Sequence, residues 1–494
     1  MAITYHSTRN SLLQYTASEA ILRGISPDGG LFVPSTIPKL SFPLERTAQM
    51  TYQELAFLIM KDFLPDFTDN ELQDCASVYD TRFDDRKITP LVYKDSIYFL
   101  ELFHGPTIAF KDMALSILPR LMTTAASKNN VKNEIVILTA TSGDTGKAAM
   151  VGFADVPQTK IIVFYPKNGV SEIQEKQMLT QQGDNISVVA IDGNFDDAQS
   201  KVKEMFADKT IADELEANGM QFSSANSINI GRLIPQIIYY FYAYGQMIQS
   251  EAIQSGDLIN VTVPTGNFGN MLAAYYAKQM GLPIHKCIVA SNENNVLTDF
   301  FQTGTYDRNR DFTLTSSPSM DILVSSNLER LLYMLLGEDT QKVKKYMNEL
   351  STEGRYQVAK QVMSEATDFY ADFATEKEVL EQIKKTYKDT NYIIDPHTAV
   401  ATVVANKYQD TSGDKIPMLV ASTASPYKFP TAVLDAIVPN FKADSLEDSL
   451  AELKRNSNIP YPPAIEEALY SPVLHNTVIT TEEMPDEVKR ILGI

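Results

Sequence analysis

From about residue 95 onwards the chain alternates between short apolar runs and longer stretches in which apolar residues recur at helical spacing. Glycine, proline, asparagine or aspartate bounds each run. This alternation is typical of parallel β-sheets with helices on both faces. Such sheets bind ligands in crevices at the carboxyl ends of their strands, so the residues after each run are the first candidates for a site. The runs are residues 135–138, 161–164, 186–191, 261–263, 284–290 and 418–420.

Outside these runs the pattern differs in three places. The first 95 residues predict an α-rich N-terminal unit, with helices over residues 50–63 and 66–79 and a glycine turn that leads into a short strand at residues 31–34. Residues 327–390 carry Lys, Glu and Gln at helical spacing, which predicts a helical insertion with a solvated face. After about residue 442 proline and acidic residues become frequent, and we expect an irregular tail that ends in a short helix.

The charge balance narrows the choice of partners. The 494 residues include 43 Lys and Arg against 62 Asp and Glu, a net charge of −19, and 44% of them are hydrophobic. This is the composition of a soluble globular protein with a large core. Because so acidic a chain repels phosphate backbones and anionic lipids, we expect neither nucleic acid nor a membrane as partner. The first 16 residues show no secretory signal, so we expect a cytoplasmic protein.

The sequence lacks the residues or motifs that several common types of site require. Two cysteines are too few for a disulfide framework or a thiolate metal site, and the five histidines lack metal-ligand spacing, so no metal is expected. His397 is interpreted as a turn or core histidine. There is no G-x-S-x-G and no G-x-G-x-x-G motif. Gly146-Lys147 resembles the end of a P-loop, but two of the residues that a P-loop requires are missing.

A glycine-rich turn follows the strand predicted at residues 261–263 and opens a helical pattern over residues 271–278. Glycines there let backbone N–H groups point inward, and the helix N-terminus adds a partial positive charge. The turn could cradle one phosphate group, or it could be a tight connection without a ligand, and the spacing alone does not decide between them. The residues of this turn are Gly266, Asn267, Phe268, Gly269 and Asn270.

Two further turns follow predicted strands. The turn after residues 135–138 offers hydroxyls and backbone N–H groups at a helix N-terminus, which suits a carboxylate or phosphate; the alternative is a helix cap with no ligand. The turn after residues 418–420 contains Thr423, whose hydroxyl could meet a heteroaromatic nitrogen or simply cap a helix. The polar candidates of the first of these two turns are Thr141, Ser142, Asp144 and Thr145.

Lys111 stands among apolar neighbours, directly after Phe110. Burial disfavours the ammonium form and lowers the pKa of a lysine, which makes its amine a nucleophile toward an aldehyde. Taken alone, such a lysine is usually a surface residue whose alkyl chain lies on apolar neighbours. Together with a phosphate cradle and a turn suited to a carboxylate, it matches what pyridoxal phosphate chemistry requires.

The order of these motifs resembles the threonine synthase family over nearly the whole chain, in the longer branch found in bacteria and fungi. The resemblance implies an α/β protein with the pyridoxal phosphate (PLP) fold of the tryptophan synthase β-subunit, called fold type II. Two α/β domains would hold the cofactor between them, next to an α-rich N-terminal domain. The segments that carry the resemblance are residues 26–34, 103–112, 141–146, 224–229, 266–270, 395–400 and 422–429.

The same resemblance implies a division of the chain into domains. A small domain would interrupt the large PLP-binding domain, and the helical insertion would lie in the second segment of the large domain. The expected boundaries are 1–95 for the N-terminal domain, 96–124 and 226–445 for the two segments of the large domain, about 327–390 for the insertion, 125–225 for the small domain and 446–494 for the C-terminal tail.

The resemblance also implies the reaction, in which O-phospho-L-homoserine and water give L-threonine and phosphate by a PLP-dependent β,γ-replacement, the last step of threonine biosynthesis. Lys111 would bind the cofactor covalently and then act as acid and base at Cα. The turn of residues 266–270 would hold the cofactor phosphate, and Thr423 would meet the pyridine nitrogen. The expected substrate-binding residues are Thr141, Ser142, Asp144, Thr145, Arg232 and Lys428, of which Arg232 and Lys428 are the candidates for binding the substrate phosphate.

One departure from the family concerns the segment after Thr423. Relatives often read Ala-His-Pro-Ala-Lys-Phe there, and this chain has Ser425 in place of the histidine. A serine cannot act as a base in its place, so we interpret Ser425 as a residue that shapes the turn.

Two other functions stay open. A related PLP phospho-lyase or a threonine/serine dehydratase would share the fold and the cofactor. A catalytically silent relative would bind a metabolite or a partner, but then the lysine and the phosphate cradle would have no reason to be intact. The motifs at residues 28–32 and 395–397 favour the synthase, because simple dehydratases lack that architecture. We expect a monomer or a small homo-oligomer.

Overall fold

The N-terminal unit combines helices with a small sheet. The computed structural model describes residues 3–141, 143–193 and 195–494, so the candidate Ser142 lies outside the described residues. The predicted helices and short strand are confirmed, and the strand belongs to an antiparallel sheet in the order β2-β1-β3. The elements of this unit are β1 (Tyr5–Ser7), β2 (Asn10–Tyr15), α1 (Ala17–Arg23), β3 (Phe32–Pro34), α2 (Tyr52–Phe63) and α3 (Asp69–Ala76).

Local sequence explains where the three N-terminal helices begin. Each starts after a threonine whose hydroxyl accepts a hydrogen bond from the backbone N–H of the glutamate three positions later. The carboxylate of that glutamate accepts a second hydrogen bond from the backbone N–H of the threonine. This reciprocal capping box satisfies two N–H groups that the helix itself cannot bond. The caps are Thr16 with Glu19, Thr51 with Glu54, and Thr68 with Glu71.

After residue 90 strands and helices alternate as predicted, and all six apolar runs lie in strands. Up to residue 249 the elements are β4 (Leu91–Lys94), β5 (Ile97–Glu101), α4 (Asp112–Leu115), α5 (Leu118–Lys128), β6 (Glu134–Ala140), α6 (Asp144–Phe153), β7 (Thr159–Pro166), α7 (Glu172–Leu179), β8 (Ile186–Asp192), α8 (Phe195–Ala207), α9 (Lys209–Ala217), β9 (Met220–Ser223) and α10 (Ile230–Gln249). From residue 259 they are β10 (Ile259–Pro264), α11 (Gly269–Met280), β11 (Ile284–Ser291), α12 (Val296–Thr303), β12 (Thr305–Asp307), α13 (Leu328–Leu335), α14 (Thr340–Thr352), β13 (Arg355–Gln357), α15 (Lys360–Glu365), β14 (Phe369–Phe373), α16 (Glu376–Thr390), α17 (Pro396–Ser412), β15 (Met418–Ser422), α18 (Pro430–Ile437), α19 (Leu446–Asn456), α20 (Pro463–Tyr470), β16 (Thr477–Thr480) and α21 (Met484–Leu492).

Two larger sheets organise the rest of the chain. The first has the order β14-β11-β10-β15-β5-β4, and all of its neighbouring strands are parallel except β5 and β4. The second has the order β16-β8-β7-β6-β9 and is parallel throughout. Both are packed by helices, so their central strands are buried on both faces and consist of continuous apolar residues, as in parallel sheets generally.

Two regions differ from the sequence-based expectation. The segment predicted as a helical insertion does contain α13 to α16, but its β14 pairs with β11 and extends the first sheet, and its β13 pairs with β12. The C-terminal tail is not irregular, because it forms α19, α20 and α21, and its strand β16 adds to the edge of the second sheet beside β8. The domain boundaries themselves stay a prediction.

Helix α10 lies at the centre of the molecule. Most of its residues are buried, among them Ile237, Tyr240 and Phe241, and it packs against α2 and α11. Its apolar surface on all sides is therefore explained by burial within the protein. Within the residues that the structure describes, no helix is long and apolar enough to cross a membrane.

Candidate active site

A cavity of about 1010 Å³ lies where the two large sheets meet. Its walls come from the connections that follow β5, β6, β10 and β15, with further residues from α10, α17 and the N-terminal turn at residues 26–29. This is where open parallel sheets bind ligands. The predicted site residues on its wall are Lys111, Thr141, Thr145, Arg232, Gly266, Asn267, Phe268, Gly269, Asn270 and Thr423.

Lys111 is held at the cavity wall by the loop that precedes α4. The carboxylate of Asp112 accepts hydrogen bonds from the backbone N–H of Thr107 at 2.8 Å and from its hydroxyl at 2.7 Å. A Cβ on Gly105 would lie 2.5 Å from Asp112, so this loop requires glycine at that position. The backbone N–H of Phe110 donates to the carbonyl of Thr423 at 2.8 Å, which fixes Lys111 beside the turn after β15.

The surroundings of Lys111 favour its neutral amine. Burial lowers the pKa of the lysine to about 8, and the charges of Lys428 and Arg232 act in the same direction. The carboxylate of Asp144 opposes them, with its Oδ2 3.6 Å from Nζ of Lys111. A large fraction of the amine is therefore uncharged near pH 8, as a nucleophile requires.

The turn after β10 leaves an unpaired donor in the cavity wall. Phe268 adopts a left-handed conformation with φ of 64°, after which α11 begins at Gly269. Asn270 accepts hydrogen bonds at Oδ1 from Tyr240 and, at 2.8 Å, from Tyr239. Its buried Nδ2 has no partner among the described residues. A buried amide donor at a helix N-terminus fits an anion, which is what the phosphate group of PLP offers.

Arg232 is the second unpaired group of the cavity. It is 2% exposed, its Nη1 donates to the carbonyl of Ala225 at 3.0 Å, and its buried Nε has no partner among the described residues. Burial lowers the pKa of its guanidinium to about 10, so it stays charged at neutral pH. A buried cation that no described carboxylate pairs is strongly attractive to an anionic ligand.

Asp144 and Lys428 are brought together, but not on the cavity wall. Oδ1 of Asp144 lies 2.7 Å from Nζ of Lys428, which is fully buried and also donates to the carbonyl of Thr107. Burial alone would raise the pKa of Asp144, but Lys428 and Lys111 outweigh it and hold the pKa well below its usual range. Because Lys428 is already paired with a carboxylate, the structure gives no support to the expectation that it binds the substrate phosphate.

The hydroxyl of Thr141 is partly occupied by the backbone of its own turn. Its Oγ1 accepts hydrogen bonds from the N–H groups of Gly143 at 3.0 Å and Gly146 at 2.9 Å. Thr141 therefore shapes the turn, while Thr145 is a second residue of the turn that lines the cavity. Ser425 caps the short helical turn at residues 426–428 and is buried away from the cavity wall.

Sequence reasoning missed His397 as part of the cavity. Its Nδ1 lies 2.7 Å from Oδ2 of Asp395, and its Nε2 accepts a hydrogen bond from the backbone N–H of Ser319 at 3.2 Å. Both His397 and Ser319 line the cavity. The signal was present in the sequence, because an aspartate N-cap followed by proline at the first helical position places the next residue at a helix start.

Three family models match this chain. The model for the threonine synthase N terminus matches residues 4–78, that for pyridoxal-phosphate dependent enzymes matches residues 84–422, and that for the threonine synthase C-terminal region matches residues 398–459. The second of these covers more than half of the chain and includes Lys111, Arg232 and the turn of residues 266–270.

Individual relatives agree with the family models. Human threonine synthase-like 1 is 41% identical over 436 residues, which cover 85% of this chain and 58% of the relative, so this chain spans little more than half of that protein. Threonine synthase of Saccharomyces cerevisiae is 36% identical over 484 residues, covering 91% of this chain and 93% of the relative. The crystal structure of PLP-bound threonine synthase from Brucella melitensis has a TM-score of 0.84 at 33% identity and covers 99% of both chains.

The matches confirm the expected fold type II and the expected cofactor. Over nearly the full chain the architecture is that of solved threonine synthases, and the residues around Lys111 fit PLP on the evidence of their unpaired donors. Most of the chain matches the model for pyridoxal-phosphate dependent enzymes, and the protein belongs to the threonine synthase family.

Proposed function

We propose that this enzyme converts O-phospho-L-homoserine and water to L-threonine and phosphate. The observation that carries the proposal is the placement of a lysine with a lowered pKa in one cavity with two unpaired buried anion-binding groups, Arg232 and Asn270. A substrate with a phosphate group, used together with a cofactor that has another, needs two such positions.

Asn270 and the backbone of the turn at residues 266–270 are assigned to the cofactor phosphate. The free Nδ2 of Asn270 supports this role, since it lies beside the first turn of α11. Thr423 is assigned to the pyridine nitrogen, where a neutral hydroxyl does not force the ring nitrogen to stay protonated. When bound, PLP supplies an electron sink that makes the protons of an attached amino acid removable.

Lys111 is assigned the proton transfers at Cα of the substrate. An amine with a pKa of about 8 exchanges protons readily near neutral pH, because both of its forms are well populated there. Lys111 and Thr423 line the same cavity, and the reacting carbon must lie close to the lysine amine for a short transfer.

Arg232 is assigned to the substrate phosphate, and Thr145 to the substrate carboxylate. The phosphate carries close to two negative charges near neutral pH, which a buried guanidinium can meet with two parallel hydrogen bonds. The net charge of −19 repels such a substrate in bulk, so an unpaired cation inside the cavity has a specific purpose. We further assign the protein to the cytoplasm, as a monomer or small homo-oligomer without nucleic acid.

A stoichiometric assay tests the proposal. The PLP-loaded protein is incubated with O-phospho-L-homoserine, and threonine and phosphate are measured together. Equal amounts of both support the proposal. Phosphate with 2-oxobutyrate and ammonia instead of threonine would assign the enzyme to the lyases and dehydratases, and no turnover at all would favour a silent binding protein. Lys147→Met is a suitable control beside Lys111→Ala, because Lys147 is also buried but lies away from the cavity wall.

A further inference from the structure

The carboxylate of Asp144 contacts residues in the connections of both large sheets. Asp144 stands at the first position of α6, which follows β6 of the second sheet, and it is 4% exposed. From the body of the first sheet, Nζ of Lys428 lies 2.7 Å from Oδ1, and the hydroxyl of Ser319 donates to Oδ2 at 2.8 Å. A buried carboxylate with so many donors is rigidly placed.

The second sheet's own residues fix the same carboxylate. Nε2 of Gln174, from the start of α7, donates to Oδ1 of Asp144 at 2.8 Å. Gln174 can approach because residue 143 is a glycine with φ of 127°, and a Cβ there would lie only 2.5 Å from the Gln174 amide. The glycine of this turn is therefore explained by the position of Asp144, without any ligand.

The charges around Lys111 give Asp144 a specific role. Lys428 from the turn before α18 and Arg232 from α10 both act on the lysine as like charges, and Asp144 is the carboxylate that pairs with it among the described residues. The neighbouring Asp112 directs both of its oxygens to Thr107. Without Asp144, the Lys111 amine would face two cations.

We propose that Asp144 is a positioning residue for Lys111: it holds the lysine amine at the cavity wall as a counter-ion, and Lys428 limits how strongly it does so by competing for the same carboxylate. This inference rests on the proposed role of Lys111. It replaces the expected role of Asp144 in substrate binding, since the carboxylate is already held by Lys428, Ser319 and Gln174 and has the same sign of charge as the substrate phosphate.

The proposal makes opposite predictions for two substitutions. Asp144→Asn removes the counter-ion, so the pKa of Lys111 falls below about 8. Lys428→Met removes a like charge and leaves the carboxylate to Lys111, so the pKa of Lys111 rises. A purely structural role for Asp144 would disturb Lys111 in the same way in both variants.

Cyanate labelling of the full-length protein, freed of its cofactor, measures this directly. Cyanate is small and reacts only with the neutral amine, so the rate of carbamylation at Lys111, followed by peptide mass spectrometry between pH 6 and pH 10 or so, gives its midpoint. We expect the midpoint to move down by about one pH unit in Asp144→Asn and up by a similar amount in Lys428→Met. Lys147, read in the same digest, is the internal control for Asp144→Asn.

An unchanged midpoint in Asp144→Asn, or shifts of the same sign in both variants, overturns the proposal. If Asp144→Asn does not fold, Ser319→Ala replaces it, because losing the 2.8 Å hydroxyl bond leaves more of the negative charge to Lys111 and the midpoint must rise. An unmoved midpoint in both Ser319→Ala and Lys428→Met then overturns it. The readout involves neither PLP nor substrate, so its failure is distinguishable from failure of the proposed function.

Discussion

Lys111 and Lys147 show how differently two buried lysines of one protein are used. Burial lowers the pKa of each to about 8, and the charge of Lys428 acts on both in the same direction. Nζ of Lys147 donates to Oε1 of Gln181 at 2.5 Å, and the residue lies off the cavity wall. Lys111 lies on the wall, 3.6 Å from a carboxylate and next to unpaired anion-binding groups.

The difference shows that a lowered pKa does not by itself make a lysine part of a binding or catalytic site. Burial alone produces an amine that is partly neutral at physiological pH, and Lys111 and Lys147 are two such amines among the described residues. What distinguishes Lys111 is the space in front of its amine, together with Arg232 and Asn270, which can bind a ligand there. A lowered pKa is therefore a useful indication of a catalytic lysine only when access and a ligand site accompany it.

The largest expected effect comes from removing each lysine in turn. Lys111→Ala should reduce threonine formation by about 10³-fold or more, because it removes both the attachment point of the cofactor and the proton carrier. Lys147→Met should leave turnover within a few-fold of wild type. Borohydride treatment of the PLP-loaded proteins followed by peptide mass spectrometry should find the cofactor on Lys111 in wild type and in Lys147→Met. Cofactor attached to Lys147 would remove the distinction between the two sites.

The second effect concerns the ligand site that Lys147 lacks. Arg232→Met should lower kcat/KM for O-phospho-L-homoserine by about 10²-fold, since an anion that pairs with a buried charge loses a few kcal/mol when the charge is removed. PLP retention, followed by its absorbance, should not change. Arg232→Lys should recover part of the loss, because the charge returns without the planar donor pair. A loss of PLP affinity as large as the loss of kcat/KM would assign Arg232 to the cofactor phosphate instead.

Much of the fold could be predicted from the sequence because it depends on local patterns. The central strands are buried on both faces and therefore consist of continuous apolar residues, which are easily recognised. Strand β16 (Thr477–Thr480) was missed because it lies at an edge, with half-exposed residues and no apolar run. Strand β14 (Phe369–Phe373) was hidden within a polar helical segment, and only its pairing with β11 explains it.

Many residues of the site could be predicted from the sequence, but the contacts between their side chains could not. Lys111 and residues 266–270 were found from local signals, Arg232 only through the resemblance to the family, and the structure brings them to one cavity. The pairing of Lys428 with Asp144 joins residues far apart in the chain, in the bodies of different sheets, so no local pattern could reveal it. For the same reason the sequence could not show that the carboxylate of Asp144 lies between the amines of Lys428 and Lys111.

The third effect tests the assignment of Asn270. Asn270→Asp keeps an oxygen that can accept from Tyr239 and Tyr240, but it replaces the free Nδ2 donor with a negative charge. We expect affinity for PLP to fall by about tenfold or more, because a carboxylate repels the cofactor phosphate. Tyr239→Phe is the matched control, since it removes one hydroxyl bond to Asn270 and leaves Nδ2 intact. Equal losses in the two variants would show that packing, and not the donor, determines the affinity measured by reconstitution.

The last effect concerns stability, and it tests whether the positive charge of Lys147 opposes folding. The pKa of Lys147 is about 8 in the folded protein against 10.5 when exposed, so the unfolded chain binds more protons between these pH values. The free energy of unfolding of the wild-type protein therefore increases as the pH rises from about 8 to 10.5, and the full pKa shift of Lys147 corresponds to about 3 kcal/mol. Lys147→Met lacks this increase. The free energy of unfolding of the variant minus that of wild type should therefore be highest below pH 8 and should decrease above pH 8.

The lost bond to Gln181 adds a constant that does not depend on pH. Urea unfolding of both proteins at pH 7 and 9.5 or so measures the difference, and a difference that does not vary with pH would mean that Lys147 is already hydrated in the folded state.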